Sequence, residues 1–271
     1  MSDRPIAFLD SGIGGVPYLS AAMAASPDDR FVYYADNRNF PYGERSVDEV
    51  RELVVEAVER LVELADPRTI VVACNTASVV ALDVLRNRFV VPFVGVVPAI
   101  KPAATLVGAG RIGVLATART VEDEYVARLI RTFAPENDVE LVAAGGLVEL
   151  IEQRLGSFSR DELDRALAAP AARLLEREVD AVVLGCTHFL HVRADVERLL
   201  GDGAHVVDSV DGVVRQTFRV AGAGAARAGA APHDVRLLLS DASAVPASYR
   251  YLARTHGMKL SDAASRHSAH R

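Results

Sequence analysis

The chain contains two cysteines, and both stand in the same kind of local sequence. Cys74 lies in IVVACNTAS (residues 70–78) and Cys186 in AVVLGCTHF (residues 181–189). Each follows a run of β-branched and small apolar residues and is followed at once by polar ones. A thiol has an unperturbed pKa of about 8.5, and its thiolate fraction is tuned by its neighbours. Two thiols on opposite faces of a carbon could remove a proton from one side and deliver one to the other, which inverts the centre without a cofactor. Asp10 could orient or relay a proton to one thiol. His188, two residues from Cys186, could do so for the other. Nearby Ser, Thr and Asn groups could hold a carboxylate and an ammonium.

Other chemistries compete for the same residues. DSGIGG (residues 10–15) resembles part of a dinucleotide loop, but Pro17 stands where the third glycine belongs. A tight turn that aims backbone N–H groups at an anion fits those glycines, and a carboxylate would serve as well as a phosphate. Cys186, His188 and His191 in CTHFLH offer three zinc ligands, but their spacing matches no usual finger and no second cluster accompanies them. Pyridoxal phosphate chemistry needs a Schiff-base lysine. Only Lys101, followed by Pro102, and Lys259, close to the end of the sequence, are present. A Cys74–Cys186 disulfide is the remaining alternative, and a reducing compartment argues against it.

The elements that would position these residues are legible. Nine short apolar runs (IAFLD, FVYYAD, TIVVAC, PFVGVV, RIGVLAT, VELVAA, AVVLGC, HVVDS and VRLLLSD) read as strands, most of them buried and parallel. Helical patterns separate them. Over residues 46–65, Val47, Val50, Val54, Ala57, Val58 and Leu61 recur at three and four, and Ser46 with Glu49 makes a capping box. Ser159 and Glu162 make another, ahead of a helix that Pro170 is expected to kink. Thr120 is expected to start a helix carrying Tyr125, Leu129, Ile130 and Phe133. Strand–helix alternation over the whole length predicts an α/β fold with mostly parallel sheets.

An internal echo divides the chain. IAFLDSG resembles IGVLATA, and IVVACNT resembles AVVLGCTH, at similar offsets. Two pseudo-symmetric α/β domains follow: residues 1–97 plus 209–271, and residues 98–208, with the active-site cleft between them. The final SDAASRHSAHR is polar and expected to fray. In open α/β sheets ligands bind past the carboxyl ends of strands, and that is where Asp10-Ser11, Asp36, Cys74-Asn75-Thr76, Thr117 and Cys186-Thr187-His188 fall.

Of the 271 residues, 50% are hydrophobic and 24% charged, an ordinary globular balance, and the net charge is −6. No dense Lys/Arg cluster marks a nucleic-acid or membrane surface. No apolar run is long enough to span a bilayer, and no signal peptide is evident, so a cytoplasmic location is expected.

At these residues the chain resembles the glutamate racemases of the aspartate/glutamate racemase superfamily. The matching motifs are FLDSGIGG (8–15), YYADNRNFPYGERS (33–46), VVACNTAS (71–78), VGVVPAIKPA (94–103), GVLATARTV (113–121), VVLGCTHF (182–189) and VDS (207–209). The resemblance implies interconversion of L- and D-glutamate without cofactor or metal, supply of D-glutamate for peptidoglycan, and a homodimer. It implies that Cys74 deprotonates D-glutamate and Cys186 deprotonates L-glutamate, assisted by Asp10 and His188 respectively. Asp10, Ser11, Tyr42, Gly43, Asn75, Thr76, Thr187 and His188 match its substrate contacts, with Thr117 and Thr120 beside them. Asp36 and Glu149 fall where the family has acidic residues near the site. One departure is local: where the family commonly has a proline after CTHF, this chain has Leu190 and then His191. A racemase for aspartate or another small amino acid, or a non-catalytic glutamate-binding protein of the same fold, are the alternatives.

Overall fold

A computed structural model describes residues 4–222 and 235–263. Its strands are β1 (Ile6–Asp10), β2 (Phe31–Ala35), β3 (Thr69–Val72), β4 (Phe93–Gly95), β5 (Ile112–Ala116), β6 (Val139–Ala143), β7 (Ala181–Leu184), β8 (His205–Val207), β9 (Arg236–Leu239) and β10 (Lys259–Asp262). They form a six-stranded sheet, β10-β9-β2-β1-β3-β4, and a four-stranded sheet, β6-β5-β7-β8. Every strand pairing in both is parallel. The molecule therefore has two α/β domains. Strands β1, β2, β3, β5 and β7 are buried throughout, as parallel strands covered by helices on both faces must be.

The inner order β2-β1-β3-β4 of the first sheet recurs as β6-β5-β7-β8 in the second. The sequence echo thus corresponds to a repeated topology, with β1 matched to β5 and β3 to β7. In such an order the chain winds one way from β1 to β2 and the other way from β3 to β4. The crevice at that reversal lies between the carboxyl ends of β1 and β3, and again between those of β5 and β7. Asp10 ends β1 and Cys74 follows β3; Thr117 follows β5 and Cys186 follows β7.

The chain leaves the first sheet after β4, builds the second, and returns through helix Val210–Ala221, which packs on helix Val16–Ala25 and on β3 and β4. Strands β9 and β10 then extend the first sheet beyond β2. One apolar cluster contains Phe8, Ile13 and Tyr33 of the first domain with Leu115, Leu184 and Phe189 of the second.

Both capping boxes form, Ser46–Glu49 on helix Val47–Ala65 and Ser159–Glu162 on helix Arg160–Glu176, which runs through Pro170. Two local expectations are corrected. Thr120 does not start the next long helix: Asp123 caps Glu124–Phe133 by accepting from the Tyr125 N–H, while Thr117 caps a separate short turn, Ala118–Val121. Ser261 and Asp262 are not frayed; they belong to β10, Ala263 after them is buried, and residues 264–271 lie outside the described residues.

Candidate active site

Cys74 and Cys186 hold nearly the same backbone conformation, φ −117° and ψ 124° against φ −129° and ψ 136°. Each is the last extended residue before a helical turn, Asn75–Arg88 in one case and the 3₁₀ turn Thr187–Val192 in the other. An extended residue at that junction points its side chain past the end of the sheet. Both thiols are free and 7% exposed. They line one cavity of about 20 Å³, together with Ser11, Tyr42, Gly43, Asn75, Thr76, Thr117, Thr120, Thr187 and His188.

The two thiols have different surroundings. Burial raises the Cys74 thiol well above its ordinary pKa, and the charge of Asp10 adds to this, against hydrogen bonds from the Ala77 N–H and from Ser11. The first domain therefore acts on Cys74 through the Asp10 charge and the Ser11 hydroxyl. Asp10 itself is fully buried, and burial pushes its carboxyl up to about 6, opposed mainly by the His188 charge. Its Oδ1 accepts from the Gly12 N–H at 2.8 Å, and its Oδ2 from the Thr187 hydroxyl of the other domain at 3.2 Å.

Cys186 lies 3.8 Å from Nδ1 of His188. The other ring nitrogen, Nε2, is 2.8 Å from Oε2 of Glu152. Burial works to lower the His188 pKa. The hydrogen bonds to Cys186 and Glu152, and the negative charges behind them, outweigh burial and hold the imidazole well above its usual value. Carboxylate, imidazole and thiol thus form one buried line.

Glu152 is the functional residue that sequence reasoning missed. It is 1% exposed, takes the Ile13 N–H at 3.0 Å, and also accepts from the Tyr249 hydroxyl. Glu149, the acid expected near the site, is on the exposed side of helix Gly145–Arg154 and does not line the thiol cavity; it lines an adjoining one that shares Phe40, Gly43 and Thr117 with it. The signal for Glu152 was present. It follows Val148 by four residues and Ile151 by one, so it falls on the apolar stripe of its own helix, where a carboxylate needs a partner.

The remaining expected residues also converge. Asp36 is buried and accepts from the Tyr42 hydroxyl at 2.5 Å and from the Asn39 amide, so it holds the Tyr42 ring in the cavity wall. Gly43 lies against Thr117, where an added Cβ would come within 3.2 Å of that side chain. Thr117 and Thr120 share a 2.9 Å hydrogen bond, and Thr76 approaches Thr120 at 3.5 Å from the other domain. Asn75 carries a buried Oδ1 with no hydrogen-bond partner among the described residues, an acceptor left for a ligand's donor.

The glycine turn does meet a carboxylate, but a protein one. Its N–H groups go to Asp10, Glu152 and the Tyr33 hydroxyl. A Cβ on Gly12 would lie 2.3 Å from Glu152 Oε2, and one on Gly14 2.3 Å from Thr187 Oγ1, so no larger residue lets the domains approach this closely. Both nitrogens of His188 are engaged, and His191 Nε2 is directed at the Ile13 carbonyl, so these rings do not point to a common metal position. Lys101 lies over the Phe133 ring and lines a different cavity.

Comparison with known proteins identifies the family. The family model for Asp/Glu/Hydantoin racemase matches residues 18–217. A glutamate racemase of Proteus mirabilis is 43% identical over 211 residues, 77% of this chain and 73% of that protein. One from Shewanella sp. (strain MR-7) is 40% identical over 214 residues, 79% of this chain and 78% of that protein. The crystal structure of Escherichia coli glutamate racemase, in complex with L-glutamate and the activator UDP-MurNAc-Ala, superposes with a TM-score of 0.81 at 36% identity. It covers 96% of this chain and 97% of that one. With this fold, this pair of strand-end thiols and these relatives, the chain belongs to the glutamate racemases of the Asp/Glu/hydantoin racemase family.

Proposed function

We propose that the protein racemizes glutamate by a two-thiol mechanism in the cleft between a first domain (residues 1–97 plus 209–271) and a second (residues 98–208). The observation that carries this reading is that Cys74 and Cys186, in matching backbone settings at the ends of β3 and β7, line one cavity. The Cys74 thiolate takes the α-proton of D-glutamate, and the Cys186 thiol delivers a proton to the opposite face, giving L-glutamate; the reverse reaction exchanges the roles. A buried thiol with a raised pKa is a stronger base once ionised, which suits the weakly acidic α-proton. His188, its pKa raised by its hydrogen bonds to Cys186 and Glu152, returns a proton to Cys186. Asp10, with its pKa near 6, exchanges a proton with the Cys74 side.

The orphan Oδ1 of Asn75 accepts from the substrate ammonium. Ser11, Thr76, Thr117, Thr120 and Thr187 offer hydroxyls to the carboxylates, with Tyr42-Gly43 closing the wall. Both proton-transfer groups come from the chain, so the reaction invokes no cofactor. The same reading gives a cytoplasmic homodimer supplying D-glutamate for peptidoglycan; among the described residues no helix is long and apolar enough to cross a membrane.

Polarimetric or circular-dichroism assays with L- and D-glutamate, beside L- and D-aspartate, test the reading. Wild-type protein should racemize both glutamate enantiomers and prefer them to aspartate. Cys74→Ser and Cys186→Ser should each lower racemization by orders of magnitude, since each thiol is base in one direction and acid in the other. Full activity in either variant would rule out the two-thiol scheme.

A further inference from the structure

His191 lies outside the cavity that holds the thiols, yet it joins the two domains at a single residue. The segment Thr187–Val192 is a 3₁₀ turn, in which side chains three residues apart eclipse. His188 and His191 therefore leave it on the same side, and both go to Ile13. His188 reaches it through Glu152, whose Oε2 takes the Ile13 N–H at 3.0 Å. His191 reaches it directly, its Nε2 lying 3.0 Å from the Ile13 carbonyl oxygen. That oxygen also accepts from the Val16 N–H at 3.1 Å, so both its lone pairs are used.

A carbonyl can only accept, so Nε2 of His191 carries the proton. Burial pushes the His191 pKa down to about 4, against the hydrogen bond to Ile13, so the ring is neutral and this tautomer is fixed near neutral pH. Ile13 sits three residues after Asp10 and two after Ser11, in the turn that also supports Cys74. The turn bearing His191 begins directly after Cys186. The Ile13 carbonyl is thus a fixed point between the two halves of the catalytic machinery.

We propose that His191 is a positioning residue for the reaction: its hydrogen bond to Ile13 registers the Cys186–His188 turn against the Asp10–Ser11 turn, and so sets the spacing of the two thiols across the substrate carbon. The inference rests on the racemase reading. A misplacement near 1 Å can cost about a hundredfold in rate while binding survives, so the effect belongs in kcat.

Two amide variants differ only in reach. In His191→Gln the side-chain N–H can occupy the place of Nε2; in His191→Asn it is too short to meet Ile13. Steady-state racemization is measured in both directions, with thermal melts alongside. The expected result is a kcat at least roughly tenfold lower for His191→Asn with KM close to wild type, and most of the loss restored in His191→Gln. Wild-type kcat in His191→Asn, or His191→Gln no better than His191→Asn, would overturn the proposal while leaving wild-type racemization intact. Absence of racemization in the wild-type protein would remove the racemase reading, and this one with it.

Discussion

At the scale of single residues, the site works by unequal treatment of two equal groups. Cys186 has a hydrogen-bond partner in its own turn, His188, whose pKa is raised against burial by its bonds to Cys186 and to Glu152. Cys74 is served from across the sheet by Ser11 and by the charge of Asp10. Asp10 gives the clearest pH signature. Its pKa is about 6 in the fold against 3.8 for an ordinary Asp. A group whose pKa is raised on folding stabilises the fold fully below its unfolded value, and that contribution is lost as pH rises through the folded one. Wild-type stability relative to Asp10→Asn should therefore decline between about pH 4 and pH 6 and level off above, as read from denaturant midpoints across that range. The acidic limb of kcat/KM near pH 6 should vanish in the same variant, whose remaining activity is low. What the sequence made legible at this scale were residues next to a strand end, because the end of a parallel strand is a short-range signal. Glu152 was hidden because its role depends on a helix 34 residues before His188 turning one particular face inward.

At the scale of elements, the glycine turn between β1 and helix Val16–Ala25 is where the two domains come closest to the site. It was legible as a turn, and its glycines as anion-directed, yet the anion belongs to Glu152 of the other domain. Sequence shows that a turn lacks side chains; it does not show which surface comes close enough to require that. Gly14→Ala tests the close approach. The added methyl would lie 2.3 Å from Thr187 Oγ1 and 2.6 Å from His188 Nδ1, so the second domain's catalytic turn must shift. The expected outcome is a loss of kcat of about a hundredfold or more, with a melting temperature lowered by a few degrees and far-ultraviolet circular dichroism unchanged. Nine of the ten strands among the described residues announced themselves as apolar runs bounded by polar residues. The tenth, Lys259–Asp262, did not: KLSD is mostly polar, and its extended state comes from docking beside β9 at the sheet edge. The helix start expected at Thr120 moved to Asp123 for a similar reason. Thr117 and Thr120 use their hydroxyls on each other and on a separate turn that faces the cleft.

At the scale of the whole molecule, the repeated β2-β1-β3-β4 and β6-β5-β7-β8 order places two equivalent crevices, and the packing of the domains brings them together. The echo between IVVACNT and AVVLGCTH was enough to predict that two thiols would share a cleft, since matched positions in related folds have matched exits from the sheet. It did not predict how tight the cleft would be. At about 20 Å³ the cavity accommodates little more than one water, so the proposed function requires the Tyr42-Gly43 segment to part from Thr117, or the gap between domains to widen, before glutamate fits. The most direct test of the central claim uses deuterated water. L-glutamate and D-glutamate are supplied separately, and the α-hydrogen of substrate and product is followed by proton NMR. The account predicts that each enantiomer yields the other with deuterium at the α-carbon, and that Cys74→Ser and Cys186→Ser both stop this inversion. Folded wild-type protein that neither racemizes glutamate nor exchanges its α-hydrogen would contradict it.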